Sequence, residues 1–152
     1  MGCRTEAIAL QSRAMRQASG ILNFATSGKG LTDVSREVRA WVAKQSVREG
    51  VLTLFCRHTS ASLLIQENAA SAARRDLEAF FERIAPEGGH YEHDDEGPDD
   101  MPAHLRAALT QTQMTIPLLD GTLTLGRWQG IFLFEHRRAP QERQVVVHVM
   151  GE

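Results

Sequence analysis

Short blocks of apolar residues, some alternating with polar ones and some continuous, recur along the whole of this 152-residue chain. Alternation over a handful of residues marks half-buried strands, and a three-to-four-residue repeat marks helices. On that basis residues 6–15 and 21–26 read as two strands around a turn near Ser19 and Gly20, followed by a flexible Ser27-Gly28-Lys29-Gly30 loop. Thr32 or Asp33 then caps a helix that places Val34, Val38, Trp41 and Val42 on one face. Residues 51–57 and 62–67 form the next strand pair. Residues 69–84 read as an amphipathic helix with Ala73, Leu77, Phe80 and Ile84 inward, ended by Pro86-Glu87-Gly88-Gly89. A short helix starts at Asp100, with Pro102 in its first turn and residues 103–109 as its body. Residues 114–119, 122–125, 128–136 and 143–150 read as four strands. Asp120-Gly121 is a two-residue hairpin signal, since both central positions of a type I′ turn take positive φ.

The resulting order, β2-α-β2-α-α-β4, predicts an α+β fold with an antiparallel, sandwich-like core, two main helices and a short third. Nothing in composition splits residues 1–152, so one domain is expected. Ile131, Phe132, Leu133 and Phe134 are apolar on both faces and need covering twice, by a second sheet, helices or another subunit.

Composition narrows the functional classes. A formal net charge of -2 and a pI near 6.3 give no electrostatic reason to expect nucleic acid as partner. No apolar run approaches the roughly 20 residues of a bilayer-spanning helix, and the N-terminus lacks the apolar core of a signal peptide. Cys3 and Cys56 make no disulfide framework. The cytoplasm is the expected compartment.

Titratable residues stand at the ends of the most apolar strands, where side chains are held rigidly yet reach solvent. Leu52, Leu54, Cys56 and His58 share one strand face, Leu63, Ile65 and Glu67 another, and Gln129, Ile131, Leu133 and Glu135 a third. If these faces meet, His58, Glu67, Gln129 and Glu135 form a polar rim over an apolar floor. A carboxylate near His58 raises its proton affinity and gives an acid/base pair close to neutral pH. The plainer alternative is that Glu67 caps the following helix and Glu135 pairs with Arg137 or Arg138 at the surface.

His93 and His104 do not follow an established zinc spacing. They can still converge with Asp99 or Asp100 as the oxygen ligand, in a site for Zn²⁺ or for Mg²⁺ or Mn²⁺. Alternatively Asp100 only caps its helix and His93 is a solvated loop residue. Thr59 and Ser60 are candidate phosphate-binding hydroxyls, with Arg57, Arg127 and Lys29 as candidate anion contacts. A Ser60–His58 nucleophile pair is disfavoured, because neighbouring side chains on an extended strand point apart and no G-x-S-x-G elbow is present. Cys56 reads as an inert core thiol, and His90, His136 and His148 as structural or surface residues.

The motifs Arg57-His58-Thr59-Ser60-Ala61 with Glu67, Tyr91-Glu92-His93, and Glu96-Gly97-Pro98-Asp99-Asp100-Met101-Pro102-Ala103-His104-Leu105 carry a family resemblance. So do Ile116-Pro117 with Asp120-Gly121, and Leu125-Gly126-Arg127-Trp128-Gln129-Gly130-Ile131 with Glu135. In order and spacing they resemble the YjbQ family, also described as secondary thiamine-phosphate synthase enzymes. The chain departs from some members in having Asp100-Met101-Pro102 where they carry Asp-Asn-Ala, and His136 is a position where members differ.

The resemblance implies a compact homotrimer and a site built around the histidines. It also implies a thiamine-phosphate synthase activity, in which hydroxymethylpyrimidine diphosphate is joined to thiazole phosphate with release of pyrophosphate. On this reading His58, Glu67 and Glu135 are catalytic, and Thr59, Ser60, Arg127 and Gln129 contact a small phosphorylated substrate. His93, His104 and Asp100 hold a divalent metal ion. The alternatives are a metal-dependent hydrolase of a small phosphorylated or amide substrate, and a non-catalytic trimer that binds an anion.

Overall fold

A computed structural model describes residues 14–152. In chain order its elements are β1 (Arg16–Thr26), β2 (Gly30–Asp33), α1 (Ser35–Ala43), β3 (Gly50–Cys56), β4 (Ala61–Glu67), α2 (Ser71–Ile84) and α3 (Asp100–Leu109). These are followed by β5 (Gln113–Leu119), β6 (Thr122–Leu123), β7 (Gln129–Glu135) and β8 (Gln141–Gly151). All strand pairing is antiparallel. One sheet has the order β1-β8-β3-β5-β6, the other β2-β7-β4. The expected α+β class and element order are present.

The layers follow from side-chain alternation. Leu52, Leu54 and Cys56 of β3 and Val145, Val147 and Val149 of β8 face Leu63 of β4 and Ile131 and Leu133 of β7, making one core between the sheets. Val34, Val38 and Val42 close that core along α1. Phe132 and Phe134 point the other way and meet Leu31 and Phe81, with Leu77 packed against them. The twice-apolar β7 is therefore covered twice within one chain, by the larger sheet and by α2, and does not itself require a second subunit.

Five expectations are corrected. Ser19 and Gly20 form no turn: β1 is continuous, because all eleven of its residues pair with β8. Gly20 is there because Trp41 packs over it; a Cβ would lie 2.7 Å from the indole nitrogen. Most of the strand expected over residues 6–15 lies outside the described residues, while Ala14 and Met15 are not in a strand. Thr32 and Asp33 belong to β2, which pairs with β7, and Val34 takes the N-cap position of α1, although Asp33 Oδ1 still accepts from the Ser35 amide of the first turn at 2.9 Å.

The strands β3 and β4 are not partners. β3 pairs with β5 and β8, and β4 with β7, so the chain crosses between sheets at residues 57–60. Finally, α2 buries Phe81, and Phe80 and Ile84 are exposed. Phe81 sets that rotation by meeting Phe134 edge to face, with ring centroids 5.2 Å apart. The Asp120-Gly121 hairpin is as expected, with φ of 51° and 76°.

Candidate functional site

The first turn of α3 brings three of the expected metal ligands together. Asp100 and His104 stand one helical turn apart on the same face, and the loop before the helix folds His93 over them. One ligand atom from each of His93, Asp100 and His104 lies within 4.8 Å of the others. Both Nε2 atoms converge on a single carboxylate oxygen, Asp100 Oδ2, at 2.8 Å for His93 and 3.1 Å for His104. Asp100 is not the helix cap: Asp99 occupies that position, and Asp100 is the first helical residue.

The surroundings fix the donor set. His104 Nδ1 lies 3.0 Å from the Thr59 carbonyl oxygen. A carbonyl only accepts, so Nδ1 carries the hydrogen and neutral His104 presents a bare lone pair at Nε2. That lone pair faces another acceptor, Asp100 Oδ2, and two opposed lone pairs require a cation between them, either a proton or a metal ion. Asp100 Oδ1 is taken by Arg137 Nη1, which leaves Oδ2 directed at the histidines. Arg137 also bonds Asp99 Oδ2 through Nε at 3.1 Å and the Glu96 carbonyl through Nη2 at 2.9 Å. Burial opposes ionisation of Asp99, but hydrogen bonds from the Arg138 amide and Arg137 outweigh it and hold the carboxyl below its usual range. Two imidazoles and one carboxylate, with His104 and Asp100 each oriented by an outer partner, fit Zn²⁺ or a similar transition ion better than Mg²⁺. A cavity of about 390 Å³ adjoins the cluster, lined by His93, His90, Tyr91, Met101 and Pro102.

His58, Ser60 and Glu135 lie next to this cluster but are organised differently from the expected acid/base pair. Glu135 is fully buried and both of its oxygens are saturated. Oε2 accepts from the Thr26 hydroxyl at 2.8 Å and Arg143 Nε at 2.7 Å. Oε1 accepts from Arg143 Nη2 at 2.6 Å and from the amides of His136 and Arg137. Burial raises its proton affinity, but the bonds from Arg143, the Arg137 amide and Thr26 dominate and hold it below the ordinary carboxylate range. His58 Nε2 accepts from the Gln144 amide at 2.8 Å. Burial and the Arg143 charge lower its proton affinity, against the smaller pull of Glu135. The pair therefore favours neutral histidine and ionised glutamate, opposite to a neutral-pH acid/base couple. Ser60 Oγ accepts from Arg143 Nη2 at 3.0 Å, and the Thr59 side chain is exposed.

Glu67, Gln129 and Arg127 are not part of this group. The β4–β7 register pairs Ala61 with Glu135 and Glu67 with Gln129, so the expected single rim is split between opposite ends of two strands. Six residue steps at about 3.3 Å separate them by roughly 20 Å. Arg127 stacks over Trp128, 5.1 Å from a ring centroid, at the far end.

Sequence reading missed Arg143, took Arg137 only as a surface partner for Glu135, and read His136 as structural or surface; His136 is buried, and Arg137 bonds Asp99 and Asp100. His136 bonds Ser62 Oγ at 2.9 Å, and Thr110 Oγ1 donates to Ser62 at 2.6 Å. Burial, then the Arg106 charge, pushes the His136 pKa down to about 3. The available signal was the Glu135-His136-Arg137-Arg138 run, four polar residues directly after a strand buried on both faces.

The chain is thus a small two-sheet α+β protein with a His-Asp-His cluster at the start of a short helix. The model of the family described as UPF0047 protein YjbQ-like matches residues 21–152, and this chain belongs to that family. A UPF0047 protein of Synechocystis sp. is 51% identical over 138 residues, covering 90% of this chain and 94% of the relative. The UPF0047 protein YjbQ of Escherichia coli O157:H7 is 39% identical, covering 86% and 96%. A crystal structure from Clostridium acetobutylicum, described as an uncharacterized conserved protein of the yjbq/upf0047 family, superposes with a TM-score of 0.79. It is 32% identical, with 85% of this chain and 98% of that chain covered. A YbjQ-like protein of unknown function from Sulfolobus solfataricus shares the fold at a TM-score of 0.81 and 23% identity. Among the described residues no helix is long and apolar enough to cross a membrane.

Proposed function

We propose that this chain is a cytoplasmic, metal-assisted enzyme acting on small phosphorylated substrates. The specific reaction proposed is transfer of the pyrimidinylmethyl group of hydroxymethylpyrimidine diphosphate to the ring nitrogen of thiazole phosphate: a C–N bond forms, the C–O bond to the diphosphate breaks, and pyrophosphate leaves. The observation that carries the metal part is the lone-pair opposition at Asp100 Oδ2, where His104 Nε2 and His93 Nε2 meet the same oxygen. The choice of reaction rests on the family resemblance. A divalent ion bound there supplies positive charge to neutralise a diphosphate leaving group. In this scheme Thr59 holds the His104 tautomer through its carbonyl, and Arg137 presents Asp100. The Thr59 and Ser60 hydroxyls offer hydrogen bonds to phosphate. Glu135 and Arg143 hold the strand ends rather than move protons.

We also propose a homotrimer. Exposed Ile21, Phe55 and Met150 on the outer face of the larger sheet, with Phe80, Ile84 and Leu109 on the helices, offer apolar surface for self-association. The test of the reaction is to incubate untagged protein with both substrates, with and without chelator. The expected result is thiamine phosphate formation that is abolished by chelation, restored by Zn²⁺ and absent from His104→Ala. No product, or product at the same rate with chelator, overturns the proposal.

A further inference from the structure

Where the chain crosses between the sheets, His58 comes to lie beside the buried Arg143 of β8. The Gln144 amide donates to His58 Nε2 at 2.8 Å. A neutral imidazole carries one N–H, so its hydrogen is on Nδ1. Burial and the Arg143 charge, with a smaller push from Arg57, keep the ring neutral. Yet Nδ1 faces Arg143 Nη1 at 3.4 Å, and a guanidinium nitrogen only donates. Two donors therefore stand opposed, with no acceptor between them. The rest of the guanidinium fork, Nε and Nη2, is committed to Glu135, and Nη1 has no carboxylate or carbonyl partner among the described residues.

Ser60 adds a third donor. Its Oγ accepts from Arg143 Nη2 at 3.0 Å, and its hydroxyl hydrogen has no acceptor among the described residues. The local charge points the same way. Arg143 is matched by Glu135, while Arg57, whose Nη1 donates to Gln144 Oε1 at 3.4 Å, has no carboxylate partner among the described residues. Two cations against one carboxylate leave a surplus of one positive charge around a neutral histidine. Glu135 cannot serve as the missing acceptor, because both of its oxygens are already saturated. His58 and Ser60 are half-buried and reach solvent, so the place between the donors is open to a solute. Water could accept from these donors, but the surplus charge selects an acceptor that is itself negative.

We propose that His58 Nδ1, Arg143 Nη1 and the Ser60 hydroxyl form a seat for one oxygen of a small oxyanion, the chemistry that a phosphoryl group and a carboxylate share. The seat gives Arg143 a binding role besides its pair with Glu135. It also makes His58 a fixed hydrogen-bond donor rather than a group that moves protons. Thr59, the residue between His58 and Ser60, orients His104 through its carbonyl, so the seat adjoins the His93–Asp100–His104 cluster along the chain. The assignment stands on these donors alone and requires neither a metal ion nor the proposed reaction.

The test is nitrogen NMR of the histidine rings in the full-length protein at neutral pH, with chelator present and the His58 signals assigned through His58→Gln. In the free protein His58 is expected to be protonated at Nδ1 and bare at Nε2. Inorganic phosphate and acetate are then titrated separately, with chloride holding the ionic strength constant. At least one of them is expected to move the Nδ1 signal saturably; the one that does so identifies the oxyanion as phosphoryl or carboxylate, and both together identify a general seat. Ser60→Ala leaves the Arg143–Glu135 pair in place and should weaken binding about two- to tenfold. Arg143→Lys keeps a cation against Glu135 but removes Nη1, and should weaken it about tenfold or more; thermal denaturation checks its fold, and Ser60→Ala decides the matter if that variant unfolds. A His58 protonated at Nε2 in the free protein overturns the proposal. So does a shift that is linear in both anions, one that chloride reproduces, or an affinity unchanged in Ser60→Ala. Because chelator is present throughout, absence of metal binding at the other histidines does not affect the outcome.

Discussion

Arg143 and Glu135 form a buried, doubly bonded ion pair, with Nη2 and Nε of the guanidinium 2.6 and 2.7 Å from the two carboxylate oxygens. The side chains are 6% and 1% exposed, so neither charge has water as an alternative partner. The pair ties β7 to β8 at the end nearest the His93–Asp100–His104 cluster, and Arg143 reaches on to Ser60.

Glu135→Gln keeps the shape but leaves Arg143 buried beside a neutral group. Breaking one side of a buried pair costs about 3–5 kcal/mol. Urea denaturation should show a loss of that order, and any fall in activity should track the unfolded fraction. Wild-type stability together with lost turnover would instead return Glu135 to a catalytic role.

Arg137→Met removes the group that occupies Asp100 Oδ1 and should let the carboxylate rotate. Loss of such an outer partner typically lowers metal affinity about 10–100-fold. Competition against a chromophoric chelator measures this directly, and circular dichroism should show the fold retained.

His136 makes stability depend on pH. Its folded pKa of about 3 lies below the ordinary 6.5, so as pH falls below 6.5 the unfolded chain takes up a proton that the folded chain refuses. Stability therefore falls with pH in that window, and the ionised Glu135 adds to the loss at still lower pH. Between pH 6.5 and 4.5 the histidine contributes about 2–3 kcal/mol. Denaturation of metal-free protein at several pH values should show this slope, and His136→Gln, which does not titrate, should flatten it.

Much of the fold was legible because alternation and turn chemistry are local. Asp120-Gly121 announced its hairpin, and the residue spacing of Val34, Val38 and Val42 announced α1. Sheet membership was not legible: β3 and β4 follow one another in sequence, yet their partners lie far along the chain. A one-residue rotation separated Phe80 from Phe81, because only the tertiary contact with Phe134 selects between them. The convergence of Asp100 with His104 could be anticipated since the two are a helical turn apart. The shared rim failed because alternation tells which face Glu67 and Glu135 share, but not that antiparallel register puts them at opposite ends.

The proposed self-association, which draws on the exposed apolar faces, is checked by light scattering at micromolar concentration. A mass three times the 16.9 kDa chain is expected. A stable monomer would require another account of Ile21, Phe55, Phe80 and Met150.

The central claim is that His93, Asp100 and His104 hold a divalent transition ion. Calorimetric titration of Zn²⁺ into untagged, chelator-stripped protein, paired with elemental analysis of unstripped protein, tests it most directly. The prediction is one ion per chain, with uptake lost in His104→Ala at little cost in thermal stability. No stoichiometric uptake at micromolar zinc, or unchanged uptake in His104→Ala, would contradict it.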